Sequence, residues 1–354
     1  MELKELTISL CSLMTVSGNE YRSYEALKRL VGAYFDEIQT DNVGNILLIR
    51  RANNKNADTR AAKILIDTHF DEIGMLVSAV TPEGFLRVTS VGGLDEGVLQ
   101  ASDVVVYGKE TLRGIIASTP PHLRSGDGKK LTPVNEILID MGYSKADRDE
   151  LAELVPIGTP VGFAPRYTEL LGGNMCGKSF DNKACAAAAI YALANTERSE
   201  LVADVYLLLS CHEETVRIGG VAVGAFNIEP DYAMVIDVNL AAVPEAPKYE
   251  TVGYGDGVSV AISAITDRKL TNAVMSLCKE KKIKFTRVAA PSSTGTNTPA
   301  LNLVGRGVPT ADIGLPLKAM HTYGEILNLG DLEELSRLVG EFVRSNEIKE
   351  EFAI

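Results

Sequence analysis

The feature that most constrains the fold is a run of five hydrophobic residues at 205–209, VYLLL, with no charged interruption. Such runs are typical of a strand that is covered on both faces, as in a parallel sheet flanked by helices. The run leads directly into SCHEE at 210–214. Neighbouring strand residues point to opposite sides, so Glu213 and Glu214 are expected to point in different directions. Each carboxylate then needs its own positively charged partner.

Strand-like and helix-like segments alternate along most of the chain. Helical periodicity and turn signals predict helices over residues 3–13, 20–35, 184–194, 271–282 and 331–346. Apolar runs predict buried strands at residues 61–72, 203–211, 232–238 and 308–318. This alternation is typical of an α/β fold.

The pattern changes between about residue 72 and residue 165. Short strand-like runs separated by Pro, Gly and Asp predict strands at 75–80, 85–91, 103–107, 112–117 and 161–164. One helix-like stretch, TPVNEILIDMG, interrupts them at 132–142. The sequence therefore predicts an α/β domain made of residues 1–71 and 166–354, interrupted by a small β-rich domain at 72–165.

Composition excludes several classes of partner. The chain of 354 residues carries a net charge of −12 and has no basic run, so neither nucleic acid nor an anionic membrane is an expected partner. No window approaches 18 consecutive apolar residues, so no membrane-spanning helix is predicted. The N-terminal segment carries acids within a helical pattern, which is unlike a signal peptide. The five cysteines of the chain are scattered, without a CxxC pair, which favours a reducing compartment. We therefore expect a cytoplasmic protein.

Five charged or imidazole side chains lie at strand or loop ends at separate places in the sequence. They are His69, Asp181, Glu214, Asp237 and His321. Four of them follow or end apolar strand-like segments, and Asp181 lies in a glycine-rich loop that enters a helix. In open α/β sheets, ligand sites form at the carboxyl ends of the strands, so these side chains are expected to converge there. The set offers only nitrogen and oxygen atoms, which suits zinc, cobalt or manganese.

Charge balance favours two metal ions over one. Two divalent ions bring +4, and Asp181, Glu214, Asp237 and one hydroxide bring −4. A carboxylate that bridges two ions roughly 3.5–4 Å apart is common in hydrolases, and such ions lower the pKa of bound water toward about 7. Glu213 is then the predicted proton carrier, acting as a base toward water and as an acid toward the leaving amine.

Other residues near these motifs have simpler interpretations. Asp71 lies two residues after His69, where it is either a surface acid or the acceptor of the second imidazole N–H. We favour the second role. His122 is interpreted as a loop histidine, and His212 as a packing residue that faces away from Glu213.

Several motifs occur in an order that we recognise: THFDEIG at 68–74, GKSFDNKA at 177–184, HEE at 212–214, VIDV at 235–238 and MHTYGE at 320–325. Shorter matches are SGNE at 17–20, DNVGN at 41–45, VGGLD at 91–95 and PPHL at 120–123. With these motifs the chain resembles the tetrahedral aminopeptidases, the glutamyl aminopeptidase-like co-catalytic metallopeptidases. The likeness extends from about residue 4 to residue 345.

The resemblance implies a mixed-sheet α/β catalytic domain, an inserted β-barrel-like dimerisation domain, and dodecamers built from dimers. It implies one metal ion held by His69 and Asp237, another held by Glu214 and His321, and Asp181 as their bridge. Glu213 would be the general base, and the reaction would remove N-terminal residues from short peptides.

The chain also departs from the family pattern. Asn297 stands where the family usually has aspartate, which removes a carboxylate expected near the substrate, and residues 215–219 are altered. Two alternatives therefore stay open. One is a hydrolase of another bond, a deacylase or a glycan hydrolase, because some relatives are labelled endoglucanases. The other is an assembly protein whose catalytic site has decayed.

Overall fold

The computed structural model describes residues 2–53, 61–118, 131–216, 219–244, 246–247, 251–291 and 294–352. The strands of the large sheet are β1 (Glu37–Thr40), β2 (Ile46–Arg50), β3 (Lys63–His69), β10 (Thr168–Leu170), β11 (Asn174–Gly177), β12 (Asp204–Ser210), β13 (Tyr232–Leu240), β14 (Val258–Ser263), β15 (Phe285–Ala290), β16 (Thr310–Lys318) and β17 (Glu325–Asn328). The remaining strands are β4 (Gly74–Val80), β5 (Leu86–Val91), β6 (Asp103–Tyr107), β7 (Thr111–Ile116), β8 (Leu138–Asp140) and β9 (Pro160–Phe163).

The helices are α1 (Leu3–Cys11), α2 (Tyr24–Val31), α3 (Arg148–Leu154), α4 (Phe180–Ala194), α5 (Glu213–Val216), α6 (Gly219–Ile228), α7 (Arg268–Lys281), α8 (Thr298–Leu301), α9 (Leu329–Arg344) and α10 (Asn346–Phe352). No helix within the described ranges combines the length and the apolar character needed to span a bilayer.

The large sheet has 11 strands, and its centre is parallel. Strand β3 pairs in parallel with β12 on one side and with β13 on the other, and β13 pairs in parallel with β16. Antiparallel strands β2 and β17 continue the sheet beyond β12 and β16. All seven residues of β12 are buried, as expected for a central strand covered on both faces.

Helix α4 covers the part of the sheet nearest to the candidate site. Its alanines at 184 and 186–189 are fully buried, and small side chains allow a helix axis to approach a sheet closely. Helices α1 and α9 pack against its flanks. The N-terminus of α4 is thereby held over the carboxyl ends of the central strands.

The remaining strands close into a barrel in the order β4-β5-β8-β7-β6-β9, in which every recorded pairing is antiparallel. The barrel lies between β3 and β10 in the chain and has its own apolar core. The predicted fold class, a mixed α/β sheet with a small β-barrel, is confirmed.

The predicted helix at 132–142 is wrong. Residues Val134–Glu136 form a single 3₁₀ turn, and β8 follows at Leu138–Asp140. The apolar spacing at 134 and 137 imitates a helix, but closing the barrel requires a strand that pairs with both β5 and β7. The helix of this region is α3, which follows a capping box formed by Ser144 and Asp147.

Candidate metal centre

The candidate site lies at the carboxyl edge of the central parallel strands. His69 ends β3 and pairs in register with Ser210, which ends β12. Asp237 lies near the end of β13, and His321 follows β16 by three residues. Parallel strands present their carboxyl ends at one edge, so residues far apart in sequence meet there.

The first group in the site consists of His69, Asp181 and Asp237, all buried. Nε2 of His69 lies 3.0 Å from Oδ1 of Asp181 and 3.5 Å from Oδ1 of Asp237. One ligand atom from each residue falls within 4.8 Å of the others. This arrangement can hold a divalent cation.

The second group consists of Asp181, Glu214 and His321, again with ligand atoms within 4.8 Å of one another. Nε2 of His321 lies 3.4 Å from Oδ2 of Asp181 and 3.4 Å from Oε2 of Glu214. Asp181 is common to both groups, and its two oxygens face different imidazoles. The structure therefore brings together all five side chains that the sequence selected as metal ligands.

Asp71 contacts residues of both ligand groups without belonging to either group. Its carbonyl oxygen lies 3.1 Å from Nδ1 of His69, and its carboxylate is slightly farther from that nitrogen, at 3.5 Å. The carboxylate accepts the backbone N–H groups of Glu213 and Glu214 at 3.1 Å each. Asp71 thus contacts His69 and also fixes the turn that carries both glutamates.

Glu213 does not lie on a strand, contrary to the expectation from strand alternation. Strand β12 ends at Ser210, and Glu213 begins the one-turn helix α5. Its side chain is only 6% exposed, and Oε1 has no hydrogen-bond partner within the described part of the chain. Burial, together with the negative charges of Asp237 and Asp181, raises the pKa of Glu213 to about 8. A carboxyl group in this environment exchanges protons near neutral pH.

The residues of the site fit divalent cations, because the carboxylates outnumber the groups that neutralise them. Burial and the neighbouring Asp181 raise the pKa of Glu214 to about 10. Burial likewise raises the pKa of Asp237. The pKa of His321 is raised mainly by its hydrogen bond to Asp181. Such crowded, buried carboxylates need a counter-charge, and nitrogen–oxygen donor sets suit zinc, cobalt or manganese.

Sequence reasoning missed two positions that orient the proposed ligands. The carboxylate of Glu325 accepts backbone N–H groups from Phe180 at 2.6 Å and from Asp181 and His321 at 3.3 Å. The backbone of Gly93, two residues after the end of strand β5, forms a hydrogen bond with the imidazole of His321. Glu325 ends the MHTYGE motif and Gly93 lies in VGGLD, so the motifs contained both positions, although nothing in the sequence indicated their roles.

Two further residues singled out in the sequence, Asn297 and His212, lie outside both ligand groups. Asn297 is 3% exposed and donates to Asp67 at 2.9 Å and to Ser210 at 3.0 Å, so it supports the sheet. His212 belongs to neither group around Asp181. His122 lies outside the described residues.

Comparison with known proteins gives consistent matches. A model of the family described as M42 glutamyl aminopeptidase matches residues 44–338. A lysyl aminopeptidase from Pyrococcus furiosus is 28% identical over 308 residues, which cover 86% of this chain and 85% of that protein. A TET aminopeptidase from a marine sediment archaeon of the Thaumarchaeota superposes with a TM-score of 0.89 at 27% identity, covering 99% of both chains. A third match is the Pyrococcus horikoshii TET1 peptidase, which can assemble into a tetrahedron or a large octahedral shell. It superposes with a TM-score of 0.83 at 27% identity, covering 97% of this chain and 99% of that chain.

The resemblance inferred from the sequence motifs is confirmed by these matches. The family model covers most of the sequence, including every residue of the candidate site. The chain therefore belongs to the M42 glutamyl aminopeptidase family and is a hydrolase that acts on peptides.

Proposed function

We propose that this protein is a di-metal aminopeptidase that removes N-terminal residues from short peptides. His69 and Asp237 would hold one ion, Glu214 and His321 would hold the other, and Asp181 would bridge them. The observation that carries the proposal is the position of the Asp181 carboxylate, whose two oxygens face the two imidazoles at 3.0 and 3.4 Å. Zinc or cobalt fits this donor set best, and manganese fits it as well.

The proposed chemistry divides between the ions and the protein. Two divalent ions, when bound, polarise the scissile carbonyl and make water a nucleophile at neutral pH. Glu213 takes the proton of the attacking water and passes it to the leaving amine. The burial of Glu213 and its Oε1 atom, which has no hydrogen-bond partner among the described residues, support this role. Asp71 keeps Glu213 in place through the backbone N–H bond at 3.1 Å.

We also propose that the protein is a homo-oligomer, a dodecamer assembled from dimers in which the inserted barrel forms the dimer contact. The support is the similarity to the Pyrococcus horikoshii TET1 peptidase, which can form a tetrahedron. All five cysteines are free, which supports a cytoplasmic location. Light scattering after size-exclusion chromatography tests the assembly, and a monomeric mass would contradict it.

Substitution of Glu213 by Gln tests the mechanism. The amide keeps the shape of the side chain but cannot accept the proton, so activity on aminoacyl fluorogenic substrates should fall by about 10²–10⁴-fold. The metal content per subunit, measured by mass spectrometry, should equal that of the unmodified protein. The matched control is Glu333→Gln, at an exposed position on α9, which should retain activity. Full activity in Glu213→Gln would rule out the proposed base.

A substrate panel distinguishes this function from its alternatives. Chelation should abolish release of amino acids, and added zinc or cobalt should restore it. Restored hydrolysis of acylated amino acids or of glycans, with none of peptides, would identify the alternative hydrolase. Absence of all hydrolysis at saturating metal would identify a decayed site.

A further inference from the structure

A second cluster of metal-ligating side chains lies beside the candidate catalytic site and does not belong to it. Ligand atoms of Glu20, Cys211 and His212 lie within 4.8 Å of one another. Glu20 comes from the N-terminal segment, and the other two residues follow strand β12. The cluster contains a thiol, which neither group around Asp181 has.

The backbone at His212 brings two neighbouring side chains together. In a strand Cys211 and His212 would point to opposite faces, but His212 has a φ of 63°, in the left-handed region. The Cys211 Sγ atom consequently lies 3.6 Å from Nδ1 of His212. A tetrahedral zinc ion with bonds of about 2.3 Å to sulfur and about 2.0–2.1 Å to nitrogen separates these two atoms by about 3.5 Å.

Glu20 supplies an independent sign that a cation belongs in the cluster. The residue is only 3% exposed, and its Oε1 atom has no hydrogen-bond partner among the described residues. A buried carboxylate oxygen without a partner is costly, and a bound cation would remove that cost.

We propose that Glu20, Cys211 and His212 form a third metal site, one that binds Zn²⁺ through a carboxylate, a thiolate and an imidazole. The thiol releases its proton to solvent when the ion binds, because thiolate is the ligand. Thiolate selects zinc over harder ions such as magnesium and calcium. His212 is partly exposed, so solvent supplies the fourth ligand.

The position of this site gives it a structural role. Cys211 and His212 directly precede Glu213 and Glu214, and Glu20 lies in the turn Glu20–Ser23. An ion bound there would tie the N-terminal segment to the bend that carries both glutamates. The site would act by positioning these glutamates, and it needs no contact with substrate.

Cobalt substitution tests the site in the full-length protein. The metal-free protein is titrated with Co²⁺, and the near-ultraviolet sulfur-to-cobalt charge-transfer band is recorded together with the metal content. Nitrogen–oxygen sites lack this band. The expected result is the band and three cobalt ions per subunit. Two ions without the band in the unmodified protein would overturn the proposal, because Cys211 would then be only a thiol donor to Val43 and Asn45.

Variants assign the band to its ligands. Cys211→Ser should abolish the band and lower the content from three ions to two, and His212→Gln should weaken cobalt binding at this site. Cys278→Ser, at an equally buried cysteine on α7, is the matched control and should leave the band intact. A band that survives in Cys211→Ser would contradict the assignment.

The Asp181→Asn variant separates this proposal from the proposed function. It removes the bridging carboxylate of the catalytic pair but should preserve the charge-transfer band. Asp181→Asn should therefore show the band without peptidase activity. In the unmodified protein, the band without peptidase activity would refute the proposed function alone. Peptidase activity without the band in the unmodified protein would refute the third site alone.

Discussion

The backbone N–H of Glu213 donates a hydrogen bond of 3.1 Å to the carboxylate of Asp71, a residue 142 positions earlier in the chain. The next N–H, that of Glu214, donates to the other oxygen of the same carboxylate. One buried side chain thus orients the proposed proton carrier and a proposed metal ligand together. Asp71 also contacts His69 through its carbonyl oxygen, so it connects both halves of the site.

We expect Asp71→Asn to reduce kcat by about 10–100-fold while the protein remains folded, because residues that orient metal ligands typically contribute this much. The amide keeps one acceptor oxygen but turns its NH₂ group toward one of the two backbone donors. Kinetics with aminoacyl substrates and circular dichroism measure the two effects. Asp103→Asn, at an exposed position on β6, is the control and should behave as wild type. An unchanged kcat in Asp71→Asn would show that the turn needs no such support.

A second positioning prediction concerns Glu325. Its carboxylate receives backbone N–H groups from both sides of the site, at Asp181 and at His321. Glu325→Gln places an NH₂ group among these donors, so we expect metal affinity to fall by about 10–100-fold. Competition with a chromophoric chelator measures the affinity. The same substitution at the exposed Glu347 should have no effect, and equal affinities in the two variants would contradict the role of Glu325.

The sequence predicted the structure well where a regular pattern of apolar residues determines the secondary structure. Apolar runs located the central strands, and the carboxyl-edge rule brought His69 and Asp237 together, because parallel strands all end at one edge. The sequence did not predict how side chains are oriented where the backbone turns. The relation between Glu213 and Glu214 depends on the positive φ of His212 and on the start of α5, which local pattern did not reveal.

Hydrogen bonds between side chains and distant backbone groups could not be predicted from the sequence either. Glu325 accepts an N–H group from Phe180, 145 residues away, and no spacing in the sequence records such a bond. The helix prediction for residues 132–142 was wrong for a related reason. Its local apolar spacing favours a helix, whereas its strand forms only because β5 and β7 supply partners on both sides.

A third prediction concerns stability and pH. The Oε2 atom of buried Glu72 lies 2.5 Å from Nζ of Lys178 and 3.0 Å from Nζ of Lys183. Burial alone would raise the pKa of Glu72, but the two ammonium groups outweigh burial and lower this pKa to about 2. Because the pKa is lower in the folded state, the stabilisation is present above about pH 4.5 and is lost as the pH falls toward 2.

Glu72→Gln leaves two buried ammonium groups without their counter-ion, so we expect a loss of about 3–5 kcal/mol in the free energy of unfolding at neutral pH. Urea denaturation measures this loss, and the difference from wild type should narrow in acid. The control is Glu169→Gln, which breaks an exposed ion pair with Lys4 and should leave the urea midpoint unchanged. A difference that stays constant with pH would contradict the assignment to ionised Glu72.

The last prediction concerns Asn297, where the family usually has aspartate. The side chain lies between Asp67 and Ser210, and burial raises the pKa of Asp67 to about 7. Asn297→Asp would replace an amide donor with a second carboxylate about 2.9 Å from the first. Two buried carboxylates at this distance cannot both ionise, so the folded variant must hold a proton that the unfolded chain releases.

A raised carboxyl pKa in the folded state makes stability fall as the pH rises. We therefore expect the melting temperature of Asn297→Asp to lie below that of wild type, with a gap that widens between about pH 6 and about pH 8. Each unit of pKa difference adds about 1.4 kcal/mol to the cost. Asn227→Asp, exposed on α6, is the control and should show no widening. A gap independent of pH would mean that Asp67 does not share its environment with the introduced charge.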